Sequence, residues 1–445
     1  MVYVNFVRMA TFILLALVFG VACQTTTPSL VEDTPVPQLA PQLAAQSIRE
    51  KASVGYTYIR PDGNRVVEGR GSMPDTPPID VSLDGEPRWV VAVPTDSGSL
   101  WTVTLDDGRV QSFQVSGREV SEVESSPDLI HPDTPPALYV DDSGKVILVT
   151  PDDEGAALAT HPVLISDGEG RVYVDSLGGL VVRNPRGVTR LPTTALPDAR
   201  ILTDENDRLL LLTGATTRYG HGVLGDATEA ASITMVETKP EVRVSLNISI
   251  PGDTVVEGIA PIWADLDGDG VREIIVTLSN AQQGAQVVVF NESGDLVAEG
   301  PAIGQGSRWR HQIAVAPFGP NGEVELVDVL TPHIGGVVEF YRLEGDELRI
   351  IARVPGFTSH VLGSRNLDMA IAGDFDGDGR TELLLPNQVL TELGAIRRTS
   401  EGAEVAWSVS LDGRLKTNVA AVTLSDGRMA VGAGMAGGIL RLWPP

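Results

Sequence analysis

Asp265-Leu266-Asp267-Gly268-Asp269-Gly270-Val271-Arg272-Glu273, followed by IIVTL, and Asp374-Phe375-Asp376-Gly377-Asp378-Gly379-Arg380-Thr381-Glu382, followed by LLLP, are two copies of one pattern. They stand 109 positions apart in a chain of 445 residues, about twice the length of a small supersecondary unit, so a weaker copy is expected between them. Pro317 to Val329 (PFGPNGEVELVDV) is that copy, with Asn321-Gly322 in place of Asp-Gly and Glu325 in place of Glu273 and Glu382. Working outward, a small polar turn followed by an apolar strand recurs at Asp84-Gly85, Ser143-Gly144, Asn206-Asp207 and Asp426-Gly427. The turns then fall at 85, 144, 207, 270, 322, 379 and 427, which marks seven units of about 50 to 60 residues.

Within a unit the apolar runs are about five to seven residues long, as in GIAPIWAD, REIIVTL, AQVVVFN and DLVAEG, and read as four antiparallel strands. The pattern predicts an all-β fold: a seven-bladed β-propeller of four-stranded antiparallel blades, whose radial repetition leaves only short sheet edges. A pair of β-sandwich domains is the competing reading. After Gly427 the last unit holds only RMAVGAG and GGILRLW and lacks a fourth strand. The expectation is that an N-terminal strand or hairpin closes that blade and hides its edge, with residues 54–69 (VGYTYIRPDGNRVVEG) as the piece supplied.

Composition agrees with many short strands and turns: 42% hydrophobic residues, 5% aromatic, Gly 47 and Pro 30. Acidic residues outnumber basic ones, 59 against 33, so the net charge of -26 repels a phosphate backbone and argues against a nucleic-acid partner. A single cysteine excludes an intrachain disulfide framework and a cysteine-rich zinc site.

In the two strong loops carboxylates recur at positions 1, 3, 5 and 9, while glycines at 4 and 6 let the backbone curl so that the oxygens converge. Hard oxygen ligands in a flexible cage suit calcium, and position 7, Val271 or Arg380, would add a backbone carbonyl. So many negative charges in one loop are unfavourable without a cation. An EF-hand also opens D-x-D-x-D-G, but it needs a bidentate Glu at position 12, where these loops carry Val276 and Leu385.

With that spacing and strand flanks, the region resembles the FG-GAP or VCBS-type repeats of integrin-alpha-like propellers. The resemblance implies two structural calcium ions, each in the turn between the first two strands of a blade. Asp265, Asp267, Asp269 and Glu273 with the Val271 carbonyl would form one site. Asp374, Asp376, Asp378 and Glu382 with the Arg380 carbonyl would form the other. The family often has Asp at the ninth position, so Glu273 and Glu382 depart from its pattern. The third loop, with Pro317, Gly319 and Asn321 in place of aspartates, is expected to hold no ion.

At the N-terminus Arg8 precedes the apolar run Met9 to Ala22, too short to span a bilayer but of signal-sequence length. Gly20-Val21-Ala22-Cys23 resembles the lipobox of bacterial lipoproteins, although Gly20 stands where Leu is usual. Residues 1–22 therefore read as a lipoprotein-type signal peptide and Cys23 as the lipid attachment site. Residues 23–46, rich in Thr, Pro and Gln, read as a tether, and 47–445 as the propeller. The expected location is extracytoplasmic, with contact to a membrane through the lipid alone.

His221, His311, His333 and His360 lie in the better-marked half, and the segments HGVLGD and HVLGSRN resemble each other. Both are expected to connect the outer strand of one unit to the inner strand of the next and so to gather at one end of the channel. There the histidines, with Arg308, Arg310, Arg365 and Asp226, would form a site for a small anion, a sugar or a transition metal. The competing expectation is that each histidine simply bonds backbone at a tight loop. No G-x-S-x-G elbow, H-E-x-x-H or P-loop is present. The sequence thus favours a non-enzymatic module that binds a protein or glycan partner, over an extracytoplasmic enzyme that uses the histidine and arginine loops on a polysaccharide or small molecule.

Overall fold

Strand identity in this chain follows from how many faces are covered. Glu273–Asn280 and Gly284–Phe290 are buried along most of their length, so they read as near-continuous apolar runs, whereas Glu347–Pro355 and Gly402–Ser410 alternate or face solvent. The first pair lies inside a stack of sheets and the second pair at its rim. A computed structural model describes residues 54–140, 145–151 and 155–445, all within one unit of the chain, 50–445. The signal, Cys23 and the tether lie outside the described residues, as does the Ser143-Gly144 turn.

The described residues hold seven four-stranded antiparallel groups. Six are simple meanders, at 87–123, 163–191, 202–249, 262–299, 310–355 and 371–410. The seventh joins Leu415–Thr423, Met429–Met435 and Ile439–Trp443 to the N-terminal strand Ile79–Ser82. A smaller sheet of Val54–Tyr56, Ala137–Val140 and Val146–Val149 falls between the first two groups in chain order.

Neighbouring groups pack face to face, and apolar seams run all the way round. Val91, Val93 and Leu100 meet Leu138, Val146 and Leu148 at one seam, and Ile275 and Val287 meet Leu326 and Tyr341 at another. The last seam sets Trp101, Val103 and Phe113 against Ala420, Val422 and Leu440, so the final group packs on the first. Asn418 stitches this closure by accepting from Val90 N at 2.9 Å and donating to Val90 O at 2.7 Å.

Three expectations need correction. The closing strand is Ile79–Ser82, not residues 54–69. Asp84-Gly85 consequently joins that closing strand to Pro87–Thr95, and the turn between the first two strands of the 87–123 group is at 96–97. The 163–191 group is a further unit: its first turn, Asp167-Gly168, is a polar turn before the apolar strand Gly170–Val174 like the others, but its first strand, Val163–Ile165, is only three residues long.

Residues 54–71 instead run through the middle of the ring. Val54–Tyr56 pairs with Ala137–Val140, and Val66–Arg70 lies parallel to the inner strand Ile371–Asp374. Between them Thr203 N donates to Pro61 O, Trp263 N to Asp62 O, and Asn64 Nδ2 to Val315 O, so one segment is bonded to successive blades. Its glycines permit the close approach: Gly63 has φ of 79°, and a Cβ on Gly71 would sit 2.2 Å from Phe375 O. At the centre Asp368 accepts from Thr57 Oγ1 at 3.0 Å, Arg65 Nε at 2.8 Å and Arg200 Nη1 at 2.6 Å. Burial works to raise the Asp368 pKa, but Arg200 and Arg65 overcome it and hold the carboxyl at about 2.

Candidate functional site

Antiparallel meanders place the turn between first and second strands at one end of the ring. The loops between second and third strands, and those between blades, lie at the other end. The aspartate loops occupy the first end and the histidine loops the second.

In loop 374–382 the structure brings Asp374, Asp376 and Glu382 together, with one oxygen from each mutually within 4.8 Å. That spread fits inside a calcium shell, whose ligands at ~2.3–2.6 Å lie at most about 5 Å apart. Asp374 Oδ1 and Glu382 Oε1 are buried and have no hydrogen-bond partner among the described residues. The remaining oxygens hold the loop: Phe375 N donates to Glu382, Gly379 N to Asp374, and Trp407 Nε1 to Asp376. Asp378 is turned to the Arg397 guanidinium, which also stands 3.8 Å from Glu382. Burial, then the charges of Asp376 and Asp378, push Glu382 up to about 8.

In loop 265–273 the group is Asp265, Asp267 and Asp269. Glu273 is buried and accepts from Leu266 N at 2.7 Å, and burial raises it to about 7. Among the described residues no arginine enters this group: Arg272 leaves it for Glu205, at 2.7 Å, and lies over the Trp263 ring. Val271 and Arg380 sit at the seventh place, their N–H groups donating to Asp269 and Asp378. Both expected ligand sets are thus brought together in part, with Glu273 and Asp378 the members engaged elsewhere. Arg397 and Trp407 carried no signal in the sequence, because they come from strands beyond the loop.

At the other end His311, His333 and His360 converge around Trp309. The Trp309 ring stacks on His311 at 4.8 Å and meets His360 edge-on at 5.2 Å, and His333 Nε2 lies 2.6 Å from His360 Nδ1. His311 Nδ1 contacts Ser359 Oγ at 2.8 Å, and His360 Nε2 contacts Ser364 O at 2.6 Å. Burial lowers all three: His311 well below its usual value, His333 to about 4 and His360 to about 3, so they are neutral at pH 7.

His221 joins through the backbone, since Gly363 N donates to Val223 O at 2.9 Å and so binds HVLGSRN to HGVLGD. HGVLGD lies between the second and third strands of its blade, not between blades as expected. The two loop types nonetheless share one end. Arg365 bridges Asp198 and Asp226 at 2.7 and 2.9 Å.

Arg308 and Arg310 do not enter the cluster. Arg308 is exposed and bonds Gln305 O, and Arg310, pointing to the other face from His311, is buried with Asp328, Glu339 and Tyr341. The sequence reading missed Trp309, whose two-residue offset from His311 was a usable sign of a shared face. It also missed Glu257, which accepts from His221 at 2.5 Å and has no local signature. Neither His131 nor His161 was singled out. His161 is buried, with both ring nitrogens unpartnered among the described residues.

No protein-family model and no curated protein sequence matches the chain. Among solved structures, a europium-containing methanol dehydrogenase is similar with a TM-score of 0.52 and 8% identity, over 88% of this chain and 91% of that one. BamB from Moraxella catarrhalis is similar at 0.40 and 11% over 82% and 96%, and U3-55K at 0.43 and 11% over 84% and 100%. At such identities the likeness speaks to architecture alone, and with the closed ring of sheets it makes this chain a β-propeller.

Proposed function

We propose that the protein is a calcium-binding propeller, tethered to a membrane surface through lipid on Cys23, that serves as a binding, adhesion or scaffold module for a protein or glycan partner. The observation that carries the calcium reading is the pair of buried, unpartnered oxygens Asp374 Oδ1 and Glu382 Oε1 inside a carboxylate group of calcium-shell size. An unpaired buried carboxylate oxygen is costly, and a divalent cation removes that cost. Asp265, Asp267, Asp269 and Glu273 would hold a second ion, with the carbonyls of Val271 and Arg380 completing the two sites. The role is structural, since the ions would pin the turn that sets the first two strands of a blade in register. Calorimetric titration of the chelator-treated full chain should find two calcium ions. Absence of calcium binding at millimolar concentration overturns the reading.

The tether and anchor rest on the Gly20-Val21-Ala22-Cys23 motif and the segment after it. Replacement of Cys23 by Ser should release the protein from membranes, and continued retention would make the apolar run itself the anchor. A second reading, an extracytoplasmic enzyme acting on a polysaccharide or small molecule, is favoured by the convergence of His311, His333 and His360. It is weakened by the departure of Arg308 and Arg310 from that cluster. A protein and glycan binding screen, run with and without calcium alongside hydrolase assays, separates the two.

A further inference from the structure

Among the described residues six large apolar side chains are 60% or more exposed: Leu129, Leu158, Leu177, Ile334, Leu362 and Val389. Each lies in a connection between blades or in a loop between second and third strands, so all six stand at the histidine end. In the described turns of the aspartate end the most exposed are Val271 and Val324, at 49% and 36%. Apolar residues scattered singly over a surface need no explanation, but a set confined to one end does.

Over the 310–355 and 371–410 blades the tips belong to one built surface. Gln388 Nε2 donates to Pro332 O at 3.1 Å and to Phe357 O at 2.6 Å, and Gly356 N donates to Gly336 O at 2.9 Å. These bonds sew together loops 331–336, 356–364 and 387–391, which carry Ile334, Leu362 and Val389. The three loops contain no Asp, Glu, Lys or Arg in a chain of net charge -26, and burial keeps His333 and His360 neutral at pH 7. At the entries to Arg310–Ala316 and Leu415–Thr423, Arg308, Arg414 and Lys416 are exposed, and among the described residues none of the three bonds a carboxylate.

We propose that the histidine end of the propeller lies against a phospholipid bilayer, with the apolar tips inserted at its interface and the free cations on lipid phosphate. The occupant must be broad, because the tips form two arcs, separated by the 202–249 and 262–299 blades on one side and by the 415–443 blade on the other. A second copy is equally broad, but its own three loops offer those cations no anion, whereas every phospholipid carries a phosphate. This orientation also turns the aspartate loops away from lipid phosphate.

The chain ahead of the described residues has the reach for it. Val54 pairs with Tyr139 and Tyr56 with Ala137, antiparallel to a strand that starts at the histidine end, so Val54 is the residue nearer the aspartate end. The thirty residues between Cys23 and Val54 extend to about 90 Å. A nine-residue strand such as Glu347–Pro355 is only ~30 Å long. A chain lipidated at Cys23 can therefore pass from a bilayer at the histidine end, around the rim, to Val54. Apolar tips of this kind hold a bilayer reversibly, so they orient a molecule that the lipid has already brought there. That role rests on the lipid-anchor reading; the contact itself does not, and it is tested without the anchor.

The full chain with Cys23→Ser has no cysteine. Leu362→Cys, Leu177→Cys or Ser97→Cys, the last in the aspartate-end turn of the 87–123 blade, then gives one exposed thiol for an environment-sensitive fluorophore. Vesicles of phosphatidylcholine and phosphatidylglycerol are added; the N-terminal apolar run is common to all three variants, so the readout is which face meets lipid. The expected result is a blue shift, with quenching by bromine-labelled acyl chains, at 362 and at 177, and no change at 97. Ile334→Asp with Val389→Asp, both at exposed positions, should remove most of the shift at 362. The proposal is overturned by unchanged emission at 362 or 177, by an equal shift at 97, or by a shift that survives the double substitution. A shift that grows with protein concentration before vesicles are added also overturns it, in favour of a second copy. Failure of the anchor reading shows separately, as retention of unlabelled Cys23→Ser on washed membranes, and leaves these shifts as they are.

Discussion

Loops 265–273 and 374–382 carry a carboxylate at each of the same four places, yet the residues that answer those carboxylates differ. Loop 374–382 has a cation of its own, because Arg397 from the third strand reaches Asp378, Asp376 and Glu382. Loop 265–273 has none among the described residues, and its Arg272 is drawn off to Glu205. The matching turn of the 310–355 blade completes the series. There the aspartates are missing, and Glu325, fully buried, is paired with Arg398 at 2.9 Å and Arg342 at 2.6 Å. The same inward-facing glutamate is therefore satisfied by two arginines in one blade, partly by one in the next, and by backbone alone in a third. The difference teaches that charge balance is arranged blade by blade, and that a cation is most needed where the protein supplies least.

The sharpest way to break this series is at its arginine-rich end. Arg398→Met removes a partner from a buried glutamate, and loss of one member of a buried pair costs about 3–5 kcal/mol. Denaturant unfolding should show that loss in calcium and in chelator alike. Restoration by calcium would mean that this turn also takes the ion. Chelation itself comes next. With dissociation constants of ~10⁻⁴–10⁻³ M, ~2 mM calcium stabilises each strong loop by about 0.7–1.8 kcal/mol. For a domain of this size two such sites raise the melting temperature by about 2–4 °C. A melting curve indifferent to chelator would remove the ion from both loops.

A carboxylate away from both loops provides the control. Burial, with Glu339 adding to it against Arg310, raises Asp328 to about 7. The folded state then binds the proton more tightly than the unfolded chain does. Its contribution is full below the ordinary carboxylate range and declines as pH rises to about 7, at no more than about 1.4 kcal/mol per pH unit. Asp328→Asn should flatten that slope with or without calcium, and a slope left unchanged would assign it to other groups. The smallest effect separates the two loops from each other. Asp269→Asn should slightly stabilise the chelated protein by relieving repulsion, while Asp378→Asn should destabilise it by releasing Arg397, each within about 1 kcal/mol. Effects of the same sign would erase the distinction.

Much of this architecture was legible because the period of the turns and the length of the apolar runs are local properties. The four strands of the 262–299 blade fall where GIAPIWAD, REIIVTL, AQVVVFN and DLVAEG place them. The 163–191 group was hidden although Asp167-Gly168 precedes an apolar strand, because its first strand, Val163–Ile165, is too short to stand out as an apolar run. Residues 54–69 misled for a physical reason. A short apolar segment with a turn looks the same whether it pairs at a sheet edge or fills the centre of a ring, and only the neighbours distinguish the cases. The histidine cluster was half legible. His311, His333 and His360 were marked and do meet, but Arg310 follows the opposite face of its strand, and nothing near Glu257 announces that it holds His221.

By itself the sequence determined the all-β class, the repeat, the two acidic loops and the need for an N-terminal strand to finish the last blade, because each follows from spacing along the chain. Tertiary structure alone decided that Ile79–Ser82 is that strand, that residues 54–71 bind the blades from within, and that one acidic loop meets Arg397 while its twin, among the described residues, meets no basic side chain. Those outcomes depend on which residues distant in the chain come into contact, and a buried charge or an open sheet edge takes whichever partner the closed ring brings within reach.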